Sequence, residues 1–398
     1  MFPPSKSISA RALTANALAP TPAALTNLSD CDDTRHLDRA FFILSASRHD
    51  YAKPLHIHIG DGAASMRFFL AAAASIPGTD MTVEGSRQLM SRPSLPLVDA
   101  LRSLGADISL SDNAFHVRGK RLTGGATEVD TTISSQFVSA LMLAAPQWER
   151  GLEIRFRTRP VSYPYITMTA RVMEHFGVRV RLSENRVEVP PGGYAAPERY
   201  AVESDWSAAS YLYELLSLSP GCEVRTTDLC APGKSVQGDA ACAALFSYLG
   251  VTTEFHDDGS ALIHSGGPRK DYISVDMTDT PDLVPAFAAA CCGTGTRFEI
   301  RGIGHLRHKE CDRLTALASE LGKCGFALTT HTDTLLWDGK RVPLSEGKIT
   351  IDSHGDHRIA MSLAPLGLII PCGLETDHPE VVNKSYPAYW DLLRTFTR

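Results

Sequence analysis

Residues 60–74 read GDGAASMRFFLAAAA, a short polar opening followed by an apolar, alanine-rich run. The same event recurs as SKSISARALTANALA (5–19), SSQFVSALMLAAP (134–146), DWSAASYLYELL (205–216), TDTPDLVPAFAAAC (278–291) and HGDHRIAMSLAPLG (354–367). Anchored near positions 6, 63, 135, 207, 282 and 358, the copies are 57, 72, 72, 75 and 76 residues apart. Self-similarity at a near-constant period marks one supersecondary unit used repeatedly. Each opening places polar residues at a helix start, where free N–H groups favour anions.

A second helical pattern falls between the openings: DTRHLDRAFFIL, PSLPLVDALRSLGADI, PYITMTARVMEHFGVRV, GDAACAALFSYLGVTT, HKECDRLTALASELGKCGFAL and SYPAYWDLLRTF. Gly105, Gly177, Gly250 and Gly325 follow four of these runs, the expected stop signal for a helix. Alternating β-branched stretches such as MTVEG, LEIRFR, ISVDM, TRFEIRG and ITIDSH predict half-buried strands. The expected fold is therefore α/β (α+β), with three repeats in each of two similar domains. The Pro/Gly-rich stretch VPPGGYAAPERY reads as the crossover. The expected domains are 5–199, and 1–4 plus 200–398. The sixth copy ends without a closing strand, so the missing strand would come from the N-terminus, where four residues precede the first opening.

A chain of 398 residues suits two domains of about 150–200 residues. Its net charge of −6 argues against a general nucleic-acid binder, so any anion site must be a local gathering of Lys and Arg. Nine cysteines with no CxxC pair predict a reduced, cytoplasmic protein. The longest apolar stretch, 359–374, is broken by Pro365 and Pro371, and no membrane association is expected. The first 29 residues contain no acid, as in transit peptides, but Lys6 and Arg11 are their only bases and the repeat already accounts for them.

Taken singly, the polar residues have plain readings. Ser134 suits an N-cap, and Asp282 suits a first-turn acid meeting the helix dipole. Lys6, Ser7 and Arg11 place two cations about one turn apart. Lys309 and Arg313, in the dense run Arg307, His308, Lys309, Glu310, Asp312, Arg313, are spaced to share a helix face. His354, Asp356 and His357 match no common zinc spacing, and His56 and His58 alternate on one strand face. Their joint placement at equivalent points of a repeat is what matters. Convergent cations with two carboxylates and no metal motif point to charge stabilisation and proton transfer on phosphorylated substrates.

At ten ordered segments the chain resembles the EPSP synthase (3-phosphoshikimate 1-carboxyvinyltransferase) family of enolpyruvyl transferases. They are SKSISARAL, GDGAASMR, SRPSLPLVDALRSLGA, SSQFVSALMLAAP, SYPYITMT, DWSAASY, TDTPDLVPA, KECDRL, GDHRIAM and NKSYPAYW. The resemblance implies two domains of three βαβαββ-type units, with helix N-termini facing an interdomain cleft that closes on substrate. It implies transfer of the enolpyruvyl group of phosphoenolpyruvate to the 5-hydroxyl of shikimate 3-phosphate, through a tetrahedral intermediate, with release of phosphate. Both partners are small molecules, no cofactor or metal is implied, and a monomer is expected. Lys6, Ser7, Arg11, Ser134, Ser135, Gln136, Ser162, Asp282 and Lys309 would bind shikimate 3-phosphate. Lys6, Ala63, Arg92, Gln136, Arg313, Arg358 and Lys384 would bind phosphoenolpyruvate. Asp282, Glu310 and Lys6 would be catalytic, with Asp282 accepting the hydroxyl proton and Glu310 protonating, then deprotonating, the methylene carbon.

The chain also departs from the pattern. MFPPSKS carries Pro4 in place of a usual Gly, and the first repeat is about 15 residues short before LHIHIGD. Ala63 stands where many members carry Gly, which implies poorer glyphosate binding, with Gly62 leaving a one-residue ambiguity. His305 stands where Asn is frequent. Alternatives are a UDP-N-acetylglucosamine enolpyruvyl transferase, against which SSQ and SYPY argue, and a non-catalytic anion-binding relative.

Overall fold

Every alanine-rich opening folds as a helix in the computed structural model, which describes residues 2–46, 54–156, 158–344 and 346–397. The chain divides into two units, Pro4–Val202 and Met1–Pro3 with Glu203–Arg398.

The Pro4–Val202 unit runs α1 (Lys6–Leu18), β1 (Ala24–Thr26), α2 (Asp32–Ala46), β2 (Leu55–His58), α3 (Ala63–Ala74), β3 (Asp80–Glu84), α4 (Arg87–Met90), α5 (Leu95–Ser103) and β4 (Asp107–Ser111). It continues with β5 (Ala114–Arg118), β6 (Gly125–Glu128), α6 (Gln136–Ala144), β7 (Leu152–Arg155), α7 (Tyr163–His175), β8 (Arg181–Ser183), β9 (Arg186–Val189) and β10 (Arg199–Ala201). The three opening helices α1, α3 and α6 pack on one another. A helix apolar all round is an interior helix, and α3 is buried from Ser65 through Ala74. Alanines keep such helices slim enough to pack, while each buried Phe or Leu, as at Phe68, Phe69 and Leu70, contributes about 1.5–3 kcal/mol. The second helices α2, α5 and α7 bury only one side.

Two sheets share the order β2-β3-β5-β4 and β6-β7-β9-β8: a parallel opening pair, then an antiparallel hairpin. Ile57, Met81, Val83 and Val117 point inward on the first, in the period of two expected for half-buried strands. The first repeat is built differently. Its β1 pairs in parallel with β10, from the far end of the unit, at Ala24↔Arg199 through Thr26↔Ala201. The shortened stretch before LHIHIGD adjoins residues 47–53, which lie outside the described residues.

The other unit runs α8 (Trp206–Leu218), β11 (Glu223–Thr226), α9 (Cys242–Ser247), β12 (Leu249–Phe255), β13 (Ala261–Arg269), β14 (Tyr272–Asp276), α10 (Val284–Thr294), β15 (Arg297–Arg301) and α11 (Arg313–Lys323). It closes with β16 (Thr329–Thr330), β17 (Leu335–Trp337), β18 (Ile349–Ile351), α12 (His357–Leu363), β19 (Leu374–Thr376) and α13 (Tyr389–Phe396). Here α8, α10 and α12 form the inner set, packed on one another.

Its sheets shrink from the expected pattern: β14-β15-β17-β16 has four strands, β11-β13-β12 three and β18-β19 two. A full βαβαββ unit among the described residues therefore occurs three times, not six. The N-terminus supplies no strand among them. Instead Phe2 is buried in this unit's core, and Pro3 accepts a hydrogen bond from the Asp205 amide at 2.8 Å. Gly105, Gly177 and Gly325 adopt positive φ one residue past the helix cap, the left-handed stop that their spacing indicated, while Gly250, also at positive φ, lies inside β12 where its register with β13 shifts. No helix among the described residues is long and apolar enough to cross a membrane.

Candidate active site

In the Pro4–Val202 unit the starts of the inner helices are tied together by side chains. The Ser5 hydroxyl caps α1 by accepting from the Ile8 amide. One residue on, Lys6 reaches Asp33 of α2 at 3.0 Å. Ala63 is the first residue of α3 and Gly62 its N-cap. A side chain on Gly62 would sit 2.8 Å from the Ser65 hydroxyl and 3.0 Å from Asp33, so the loop passes close to the partner of Lys6 only as glycine.

Arg67, one turn into α3, is buried, donates to the Gln136 side-chain oxygen and to the Pro93 carbonyl, and lies 4.7 Å from the Phe137 ring. It orients Gln136 at the start of α6. Ser134 and Ser135 precede that helix, and the Ser134 hydroxyl accepts from the Gln136 amide at 3.2 Å. Ser135 is the N-cap and makes no side-chain cap bond, so Ser134 lies one residue ahead of the cap position that the plain reading gave it. Ser162 holds a left-handed backbone (φ 55) ahead of α7, a conformation rare outside glycine and often stored at functional sites. Arg92, half-buried, follows α4.

Arg11 is used otherwise than its spacing indicated. Its guanidinium donates to Thr169 (2.7 Å), the Ser7 carbonyl (2.7 Å), the Tyr165 carbonyl (3.1 Å) and Ser139 (3.4 Å). Burial pulls its pKa down to about 10. It braces α1, α6 and α7, and Lys6 and Arg11 serve different partners.

The other unit builds a lattice of alternating charge. Asp282 lies in the turn Pro281–Leu283 before α10 and meets two guanidiniums, Arg358 at 2.7 Å and Arg313 at 3.2 Å. Its partners are Arg313 from the second helix of its own repeat and Arg358 from the next opening. Arg313, 1% exposed, also binds Asp356 at 2.7 Å and Glu310 at 2.8 Å. Burial alone would lower its pKa, but Asp356, Glu310 and Asp282 outweigh burial and raise it. Asp356 caps α12 by accepting from the Arg358 amide at 2.9 Å, so one carboxylate fixes both arginines. Lys384 lies 3.8 Å from Glu310. The Tyr211 hydroxyl accepts from Arg358 at 3.4 Å, and burial pushes its pKa up to about 12.

The helical pairing of Lys309 with Arg313 does not form. Asp312 caps α11 by accepting from the Thr315 amide, so the helix starts at Arg313 and Lys309 lies outside it. Arg307 turns away to Asp312 and the His331 and Thr332 carbonyls. His305 is buried, and that burial, with Lys309 nearby, pushes its pKa down to about 3, so it is a neutral polar group. His56 and His58 are exposed on β2, and His354 pairs with Glu320. Among the described residues, no group of three or more His, Cys, Asp or Glu could hold a metal ion.

Spacing singled out the openings but not their partners Asp33 and Asp239 within a repeat, or Arg67, Thr169 and Tyr211 across repeats. Arg67 lay in view within GDGAASMR. Asp239 is bonded by Ser207 of α8, and burial with Asp282 nearby pushes its pKa up to about 7.

Each unit is an α/β body with three inner helices, and cations and acids gather at the starts of those helices. The family model for EPSP synthase (3-phosphoshikimate 1-carboxyvinyltransferase) matches residues 1–393, and the chain belongs to that family. A 3-phosphoshikimate 1-carboxyvinyltransferase of Bacteroides fragilis is 38% identical, covering 99% of this chain and 93% of its own. One of Syntrophobacter fumaroxidans is 36% identical over 98% and 94%. The solved EPSP synthase of Acinetobacter baumannii shares the fold, with a TM-score of 0.75 at 22% identity, covering 99% of this chain and 94% of that one.

Proposed function

We propose that this chain transfers the enolpyruvyl group of phosphoenolpyruvate to the 5-hydroxyl of shikimate 3-phosphate, releasing phosphate, in aromatic amino-acid biosynthesis. The observation that carries the reading is the Asp282–Arg358–Arg313–Glu310 lattice, in a chain of the EPSP synthase family. Two arginines held by carboxylates are preset for a ligand bearing its own carboxylate and phosphate, because guanidinium pairs bidentately with both.

In the Pro4–Val202 unit, Lys6, Ser7, Arg11, Ser134, Ser135, Gln136 and Ser162 are assigned to shikimate 3-phosphate, and Arg11 also holds the Ser7 carbonyl in place. Lys6, Ala63, Arg92 and Gln136 are assigned to phosphoenolpyruvate. In the other unit Arg313, Arg358 and Lys384 are assigned to phosphoenolpyruvate, and Asp282 and Lys309 to the acceptor. An incoming dianion competes with Asp282 and Glu310 for the arginines and releases both acids for proton transfer. Freed from Arg313, Glu310 takes up a proton from solvent; Asp282 then takes the 5-hydroxyl proton as that oxygen bonds C2 of phosphoenolpyruvate, and Glu310 gives its proton to C3. Return of a C3 proton to Glu310 breaks the C2–O bond to phosphate and restores the double bond. Lys6 stabilises charge during both steps.

We further propose a cytoplasmic monomer, the nine free thiols suiting a reducing compartment. The deciding experiment mixes purified protein with phosphoenolpyruvate and follows phosphate. Release that requires shikimate 3-phosphate supports the reading, and release that ignores it, or none, refutes it.

A further inference from the structure

Helix α11 carries two buried charged side chains, Arg313 at its start and Glu320 two turns further along, which places them on one face. Arg313 belongs to the charge lattice already described. Glu320 has no part in the chemistry assigned above, yet it is 1% exposed. Its carboxylate lies 2.9 Å from the Asp352 amide, 3.3 Å from His354 Nε2, 2.6 Å from Lys323 Nζ and 3.2 Å from the Ser319 hydroxyl. A buried carboxylate is tolerated only when it is paired in this way, and Lys323, partly exposed, supplies the offsetting charge.

Two of those partners, Asp352 and His354, belong to the turn 352–356 that joins β18 to α12. Its backbone is left-handed at two successive residues, His354 (φ 52) and Gly355 (φ 65). A residue with a side chain keeps that conformation only where its surroundings hold it. Here Asp352 accepts from the His354 amide at 2.6 Å, Asp377 accepts from the Ser353 amide at 2.9 Å, and Glu320 meets both the Asp352 amide and the His354 ring. The turn then delivers Asp356, which grips Arg313 and accepts from the Arg358 amide. The segment that sets Arg358 is therefore tied to α11 twice, at Glu320 and at Arg313.

We infer that Glu320 and His354 are positioning residues for the Arg313–Arg358 pair: the carboxylate on α11 fixes the left-handed turn, and the turn fixes where Asp356 and Arg358 stand against Arg313. The inference rests on the proposed assignment of that pair to phosphoenolpyruvate. Both residues act through Asp356 and Arg358.

The test compares the full chain with three variants, by phosphate release dependent on shikimate 3-phosphate and by backbone amide exchange. Glu320→Ala removes both ties. Glu320→Gln keeps an acceptor for the Asp352 amide. His354→Asn keeps a residue that tolerates the left-handed backbone but is too short to reach Glu320. KM for phosphoenolpyruvate should rise ~10-fold or more in Glu320→Ala and ~3-fold or more in His354→Asn, with kcat changed less than ~3-fold. KM for shikimate 3-phosphate should not move, and Glu320→Gln should stay near the parent. Amides of residues 352–358 should exchange at least ~10-fold faster in Glu320→Ala. A merely structural Glu320 would lower Tm and the active fraction, hence kcat, and leave both KM values alone. That pattern, or unchanged exchange, would overturn the inference. Should Glu320→Ala fail to fold, an unchanged KM for phosphoenolpyruvate in His354→Asn overturns it instead. A parent that releases no phosphate takes the proposed function down with it, whereas an active parent whose variants keep its KM sinks this inference alone.

Discussion

Arg313 touches three carboxylates at once, and those contacts separate chemistry from positioning. Glu310 lies at the half-buried rim, so Glu310→Gln should keep shikimate 3-phosphate affinity by calorimetry while kcat falls by at least ~10²-fold, the scale for a lost general acid–base group. Near-normal turnover would show the proton to come from elsewhere. Asp356 is fully buried, caps α12 and holds the Arg313 guanidinium. Asp356→Asn should raise KM for phosphoenolpyruvate more than ~10-fold with a smaller change in kcat, because the clamp loses its fixed geometry. At Ala63, the first residue of α3, the side chain is one methyl beyond glycine at the expected inhibitor contact. Relieving a crowded methyl gains about 1–3 kcal/mol, so Ala63→Gly should tighten glyphosate inhibition by ~10-fold or more. An unchanged inhibition constant would place the crowding elsewhere.

At the scale of elements, the inner helices were legible because each is a run of small and apolar residues behind a polar start, buried along most of its length. That pattern survives any packing, so α1, α3, α6, α8, α10 and α12 all begin near the quoted openings. Their starts also depend on local caps. Asp205 accepts from the Ala208 amide at 2.8 Å, so Asp205→Ala should remove about 1 kcal/mol and lower Tm by about 2–4 °C. An unchanged Tm would mean that packing alone sets the start of α8. The second helices were less legible, because a cap overrode the period: Asp312 begins α11 and separates Lys309 from Arg313. Strands of two or three residues such as β16, β18 and β19 carry too little alternation to be counted. Site residues at the openings could be read from the repeat. Their partners could not, because Arg67–Gln136, Arg11–Thr169 and Arg358–Asp282 join segments 69, 158 and 76 positions apart. Only packing creates those pairs, and it assigned Arg11 to the interior.

For the molecule as a whole, the unit holding Glu203–Arg398 carries an electrostatic cost that composition does not reveal. Glu214, on α8, is fully buried, and neither carboxyl oxygen has a hydrogen-bond partner among the described residues. Burial pushes its pKa well above the ordinary value, and Asp239, also buried, is pushed up to about 7. Both acids are raised on folding, so the native state favours their protonated forms. Below pH ~4 both are protonated whether the chain is folded or not, and neither depends on pH. As pH climbs from ~4 the unfolded chain ionises them first and gains stability relative to the native state. The loss from Asp239 levels off near pH 7, and Glu214, raised by burial, adds a loss of the same sign. Replacing an unsatisfied buried carboxyl with a side chain of similar size removes a penalty of about 1–3 kcal/mol. The variant Glu214→Met with Asp239→Asn should therefore melt several degrees above the parent at pH 8, with the gap narrowing steadily towards pH 4. A gap that stays constant across that range would mean that neither acid titrates with folding, and that any gain came from packing alone.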